Sequence, residues 1–133
     1  MQPLYDLDDA AVRARLTAFR GVADMTASLL MLFWMGRAAL PVDRHIARVC
    51  ARLEWVPPTW TPGKVAQWLD RVAEPEWGAR HQFHVSFIRH GRAVCTLKAP
   101  ACAECPVRSL CPSAGLWDSA SPLTVTRNLE TEA

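Results

Sequence analysis

Four of the chain's five cysteines fall in one stretch, Cys95-TLKAPA-Cys102-AE-Cys105-PVRSL-Cys111. Iron–sulfur clusters need several thiolates around one inorganic core, and cubane clusters take four. Cys102 and Cys105 have the two-residue gap of a metal-binding pair, and the longer arms on either side wrap the loop around the other ligands. A zinc ion also takes four thiolates, but zinc modules usually show two such pairs. The spacing therefore favours an iron–sulfur site and leaves zinc open.

The sequence before this loop has helical patterns and only weak strand patterns. Apolar residues recur at intervals of three and four, which is typical of helices with one buried face. Asp24 and Asp43 are suited to cap the second and third helices. We predict an all-α fold, with helices at about 9–19, 24–35, 44–55, 62–72 and 76–90, and with Gly91 ending the last one.

Charge is distributed unevenly along the chain, whose formal net charge is +2. Residues 13–98 hold 13 Lys and Arg against 6 Asp and Glu, a net of +7. A basic middle section suits a polyanion such as nucleic acid, although most charge excesses are solvated surface. The longest apolar run, Leu29 to Met35, is too short to span a bilayer, and the acidic N-terminus has no secretory signal. We expect a cytoplasmic protein that does not bind membranes.

The predicted third helix carries two different faces. Ile46, Val49 and Cys50 belong to its apolar face, and we interpret Cys50 as a small core residue. Arg44, Arg48 and Arg52 lie four residues apart on another face. They are either phosphate contacts for nucleic acid or a solvated helix surface.

Three landmarks occur in the order typical of endonuclease III-type DNA repair glycosylases. The cysteine loop matches the family's cluster loop, and residues 90–95, HGRAVC, resemble the approach to it. The segment 41–46, PVDRHI, is similar to the segment that carries the family's catalytic aspartate. Residues 19–27, FRGVADMTA, resemble the helix-hairpin-helix that binds DNA phosphate. The resemblance covers about residues 8–113 and strengthens the case for a 4Fe-4S cluster over zinc.

The resemblance also implies a domain organisation. Family members have a six-helix barrel lobe and an iron–sulfur lobe, and this chain begins at the hairpin, so the earlier barrel helices are lacking. Residues 1–55 are then the hairpin and catalytic-aspartate segment, 56–113 the cluster lobe, and 114–133 a flexible tail. The predicted cluster ligands are Cys95, Cys102, Cys105 and Cys111.

Asp43 is the residue that the resemblance implies for catalysis, whereas an aspartate at this position is otherwise only a helix cap. The lyase members have lysine where this chain has Met25, and methionine cannot form a Schiff base. Family members that lack this lysine, such as the adenine mismatch glycosylases, use water as the nucleophile. We therefore expect glycosylase chemistry without lyase chemistry. His45 accompanies the aspartate, and we expect it to form a structural hydrogen bond.

The hairpin departs from the family pattern, which has proline and a second glycine where this chain has Arg20 and Ala23. Backbone amides close to a glycine turn form an anion-binding nest, and an ordinary turn between helices is the alternative. The DNA contacts that we predict are Arg20, Gly21, Val22, Ala23, Arg44, Arg48 and Lys98.

Three functions follow from the sequence. The first is a DNA glycosylase that acts on double-stranded DNA with a damaged, mismatched or abasic site. The second is a non-catalytic iron–sulfur module that binds DNA or a partner, and the third is a truncated gene copy. A polypeptide that supplies the missing barrel helices is a further candidate partner, because the apolar helix around Leu29 to Trp34 would otherwise be exposed.

Overall fold

The structure, a computed structural model, describes residues 2–117. This part of the chain is helical and has no β-strand, which confirms the all-α fold class. None of its helices is long and apolar enough to cross a membrane. The helices are α1 (Asp9–Thr17), α2 (Asp24–Phe33), α3 (Arg44–Arg52), α4 (Pro62–Val72) and α5 (Trp77–Ala93), with short 3-10 turns at Leu4–Asp6, Cys102–Glu104 and Arg108–Leu110.

The described chain divides into two compact units. Unit 1 comprises residues 2–41 and 66–84, and unit 2 comprises residues 42–65 and 85–117. The predicted domain boundaries near residues 55 and 113 are placed by resemblance to the lobes of the endonuclease III family and not by the compactness of the chain. They stay a prediction. Residues 114–117 of the predicted flexible tail are packed, since Trp117 is only 8% exposed. Residues 118–133 of that tail lie outside the described residues.

Unit 1 is built around the packing of α1 against α2. Asp8 caps α1, because its carboxylate accepts a hydrogen bond from the Ala11 amide at 2.8 Å. The core of this unit consists of apolar residues at helical spacing. Packing of these residues against each other removes their side chains from water. These residues are Val12, Leu16, Ala27, Met31 and Ala39, with Leu4, Leu7, Val22, Leu30 and Met35 packed against them.

The turn between α1 and α2 corrects one predicted helix cap. Ala23, not Asp24, is the N-cap of α2, and it has no side-chain hydrogen bond to the helix. Asp24 is instead the first helical residue, where its negative charge interacts favourably with the positive end of the helix dipole. Gly21 has φ +87°, a conformation that a side chain would disfavour, so this glycine fixes the turn.

Unit 2 is organised around α3. Asp43 caps this helix by accepting a hydrogen bond from the Ile46 amide at 3.0 Å. The helix ends at Arg52, earlier than predicted, because Glu54 takes up the left-handed conformation with φ +59°. The amides of Glu54 and Trp55 then bond back to the carbonyls of Ala51 and Cys50, a Schellman-type ending that residues other than glycine rarely adopt.

Gly91 lies inside α5 and does not end it, so the predicted end of this helix was wrong. A β-carbon at Gly91 would be 3.1 Å from the His45 β-carbon and 3.3 Å from the His45 carbonyl oxygen. The glycine therefore allows α5 to approach α3 closely. Its function is close backbone packing and not helix termination.

Two glycines of α5 provide a matched test of this packing. Gly91→Ala should lower the free energy of unfolding by about 1–2 kcal/mol, because backbone and β-carbon atoms of His45 have to shift. Gly78→Ala should leave it unchanged or raise it by up to about 1 kcal/mol, because alanine favours helix and nothing lies within 4 Å of the new carbon. Urea denaturation followed by circular dichroism measures both. Equal effects of the two substitutions would contradict the close-packing role.

Candidate metal centre and nucleic-acid interface

The side chains of the four loop cysteines line one cavity in unit 2. Two 3-10 turns bring them together, since the Cys105 amide bonds to the Cys102 carbonyl and the Cys111 amide to the Arg108 carbonyl, each at 3.2 Å. At the start of the loop, the Cys95 amide bonds to the His90 carbonyl at 2.7 Å, which joins the loop to the end of α5. The four cysteines, separated along the sequence, thus lie around a single cavity.

The residues around this cavity fit a four-thiolate cluster. Its walls are largely apolar and contain no carboxylate, with Val49, Leu53, Val94, Pro100 and Val107 among the lining residues. No three Cys, His, Asp or Glu side chains within residues 2–117 are grouped to hold a single metal ion. A cubane cluster does not need such a group, because its four thiolates bind four separate iron atoms.

The fifth cysteine is chemically separate from these four. Cys50 is fully buried in unit 2, as expected for a small core residue. Burial raises the pKa of its thiol to about 12, because the thiolate would lose its hydration. Cys50 is therefore protonated at neutral pH and lacks the thiolate that metals bind.

Arg48 and Arg52 are buried in unit 2, which corrects the prediction that Arg48 contacts DNA phosphate. Arg48 is 8% exposed and Arg52 is 3% exposed, so neither is a solvated surface residue. Arg48 donates to the Gly91 carbonyl at 2.6 Å and to the Cys95 carbonyl at 3.1 Å. A guanidinium occupied in this way has little surface to offer a phosphate. Both arginines hold the backbone that leads into the cysteine loop.

His45 forms the structural hydrogen bond that the sequence predicted for it. Its Nδ1 is 3.2 Å from Nη2 of Arg48. Arginine has only donors, so Nδ1 is the acceptor, and His45 is neutral in this arrangement. Burial lowers the pKa of His45, against the opposing influence of Asp43, and this favours the same neutral form.

Asp43 lies at the beginning of α3, and its side chain is partly exposed. The Ile46 amide binds its Oδ1, which orients the carboxylate. This geometry establishes Asp43 as a helix cap. The cap uses one carboxylate oxygen and is compatible with a second role for the group.

The remaining predicted DNA contacts lie in two units, and most are exposed. In unit 1, the hairpin residues Arg20, Gly21 and Ala23 are exposed and Val22 is partly buried. Met25, which the family resemblance predicts to replace the lyase lysine, is 43% exposed in the first turn of α2. In unit 2, Arg44 and Lys98 are exposed. These accessible positions stay predicted DNA contacts.

Trp117 is a site residue that the sequence did not indicate. It lines the cysteine cavity, and its ring lies 4.3 Å from the guanidinium carbon of Arg52. It follows Ser113 in a stretch rich in small and polar residues, which pointed to a tail. A single large aromatic residue in such a stretch was the one available signal.

Comparison with known proteins finds relatives by sequence, although not by family models. No family model matches the chain. Endonuclease III of Synechocystis is 36% identical over an alignment of 101 residues, and the match covers 74% of this chain and 44% of that protein. Endonuclease III of Escherichia coli is 34% identical over an alignment of 103 residues, and the match covers 74% of this chain and 46% of that protein.

A solved structure shows the same similarity in three dimensions. The endonuclease III chain of a non-covalent endonuclease III–DNA complex superimposes with a TM-score of 0.70 and 28% sequence identity, over 77% of this chain and 47% of that chain. The chain thus spans less than half the length of each of these three relatives. It is a partial homologue of the endonuclease III family, matching the C-terminal part of its members.

Proposed function

We propose that the four loop cysteines bind a 4Fe-4S cluster. The observation that carries this proposal is their arrangement around a single cavity without carboxylate ligands. Thiolates are the ligands that these clusters use. The cluster would hold the two arms of the loop together and so stabilise this part of unit 2.

We further propose that the chain contributes to a DNA glycosylase that acts on a damaged or mismatched base in double-stranded DNA. Similarity to endonuclease III, including a chain from a DNA complex, supports this substrate class. The exposed hairpin and Arg44 would bind phosphates, which position a protein on DNA without reading its sequence.

Asp43 is the proposed catalytic residue. Cleavage of a base–sugar bond builds positive charge on the sugar, as in other glycoside hydrolyses. A carboxylate near that carbon stabilises the charge and orients the attacking water. The hydrogen bond from the Ile46 amide would hold the carboxylate of Asp43 in place during this step.

Hydrolysis without lyase chemistry is the proposed reaction type. A lyase needs an amine that attacks the sugar and forms a Schiff base. Met25 occupies the corresponding position here, and the chain's only lysines are Lys64 and Lys98. Water is then the nucleophile.

A non-catalytic iron–sulfur module that binds DNA is the second candidate. The chain matches less than half the length of the relatives named above. The helix cap at Asp43 is by itself a sufficient structural role for this residue. The two candidates share the cluster and DNA binding. They differ in whether a base is released.

Metal analysis tests the cluster. Anaerobically purified protein should contain about four iron and four sulfide per chain. Cys105→Ala should lose most of this iron, because it removes one of four thiolates. Cys50→Ala is the matched control and should keep it, because Cys50 is a buried core thiol. Stoichiometric zinc in place of iron would reject the cluster.

Two N-cap aspartates allow catalysis to be separated from folding. Asp43→Asn keeps a good helix cap but removes the negative charge, so base release should fall about 10²–10⁴-fold while DNA affinity is retained. Asp8→Asn makes the same change at the cap of α1 and should keep activity. Release is measured on duplexes that each contain one oxidised or mismatched base. If the wild-type chain binds these duplexes without releasing a base, the non-catalytic module is favoured.

Borohydride trapping tests the missing lyase step. Borohydride reduces a Schiff base between an amine and an abasic sugar to a stable protein–DNA adduct. The wild-type protein should give little adduct, and Met25→Lys should increase it by placing an amine at the lyase position. Strong trapping by the wild-type protein would show that another amine attacks the sugar.

A further inference from the structure

Arg52 is bound to the first arm of the cysteine loop by several hydrogen bonds within unit 2. Its Nη1 donates to the Thr96 carbonyl at 2.7 Å, and its Nη2 donates to the Leu97 carbonyl at 2.9 Å. Nη1 also lies 3.3 Å from the sulfur of Cys95. One guanidinium therefore fixes the backbone of this arm and contacts a proposed cluster ligand directly.

The charge of Arg52 has no carboxylate partner among the salt bridges of residues 2–117. Its side chain is nevertheless almost fully buried, and within the described part of the chain its Nε has no hydrogen-bond partner. Burial of a cation is costly unless an anion or strong acceptors compensate for it. Carbonyl dipoles supply part of this compensation, and thiolate at Cys95 would add a negative charge at hydrogen-bond distance.

Trp117 covers the same guanidinium. Its ring lies 4.3 Å from the guanidinium carbon, which is the geometry of a cation–π contact. It is 8% exposed and lines the cavity together with all four loop cysteines. Trp117 therefore lies where it limits the access of water to both Arg52 and the thiols.

We propose that Arg52 and Trp117 form a clamp that sets the reduction potential of the bound cluster and protects it from solvent. Both are positioning residues that act through Cys95 and the cavity wall. This proposal rests on cluster binding and is independent of glycosylase activity. It also accounts for a buried arginine that is directed at a cysteine sulfur.

The two residues should affect different properties of the cluster. A positive charge and an N–H donor beside a cluster thiolate favour the more negative, reduced state, so Arg52 should raise the potential. An aromatic cover excludes water and oxidants, so Trp117 should slow the loss of the cluster. The low dielectric that Trp117 maintains also keeps the charge of Arg52 effective.

Arg108 provides a control for charge alone, because it lines the same cavity but is exposed. Arg52→Gln should make the potential more negative, and Arg52→Lys should recover part of the shift, because it keeps the charge and loses the fork of donors. Arg108→Gln should cause a smaller shift, because solvent screens an exposed charge. Spectroelectrochemical titration of the iron-loaded proteins measures the potentials of the wild type and of these three variants. Equal shifts for Arg52→Gln and Arg108→Gln would overturn the role of Arg52.

Trp117 variants test the cover and do not depend on the folding of the Arg52 variants. Trp117→Leu should lose its cluster on the order of tenfold faster in air with an iron chelator, because the desolvated cation–π contact is lost. Trp117→Phe should stay close to wild type, because it keeps an aromatic face. The decay of the cluster's visible absorbance gives these rates. Equal rates for Trp117→Leu and wild type would overturn the role of Trp117 as a cover.

Wild-type protein that contains no iron would overturn both the proposed cluster and the clamp. This outcome is visible before any variant is made.

Discussion

The loop that carries the cysteines depends on donors from one short helix. A loop that turns sharply around a cavity leaves carbonyl groups without regular partners, and buried carbonyls need hydrogen bonds. Arg48 and Arg52 of α3 supply them to Gly91, Cys95, Thr96 and Leu97. These bonds tie the first arm of the loop to α3 within unit 2. The position of Cys95 therefore follows from the position of the α3 arginines.

The same helix serves a different purpose at its other end. Asp43 begins α3 and orients its carboxylate through the Ile46 amide, while the arginines occupy later turns. Close packing of Gly91 against His45 fixes α5 beside this helix within unit 2. A few residues of α3 thus combine a cap, a packing surface and the support of the loop, so substitutions in this helix should rarely affect only one of them.

Much of this arrangement could be predicted from the sequence, and the exceptions have a common cause. The cysteine spacing, the helices and the Asp43 cap depend on local patterns, which a sequence displays directly. The burial of Arg48 and Arg52 could not be foreseen, because arginines four residues apart look like a solvated face unless their carbonyl partners are known. Gly91 looked like a helix end because its close contact is with a residue distant in sequence. Trp117 was missed for the same reason, since its partner Arg52 precedes it by 65 positions.

The burial of Cys50 has a consequence for the assembly of the proposed cluster. A reactive fifth thiol would capture iron in the wrong place or form mismatched disulfides with the loop. With its pKa raised to about 12 inside unit 2, Cys50 is excluded from both reactions once α3 has folded. Folding therefore sorts the thiols, leaving only the four loop cysteines available to an assembling cluster. Iron delivered before α3 forms would meet five competing sulfurs instead of four, so assembly of the proposed cluster would depend on folding first.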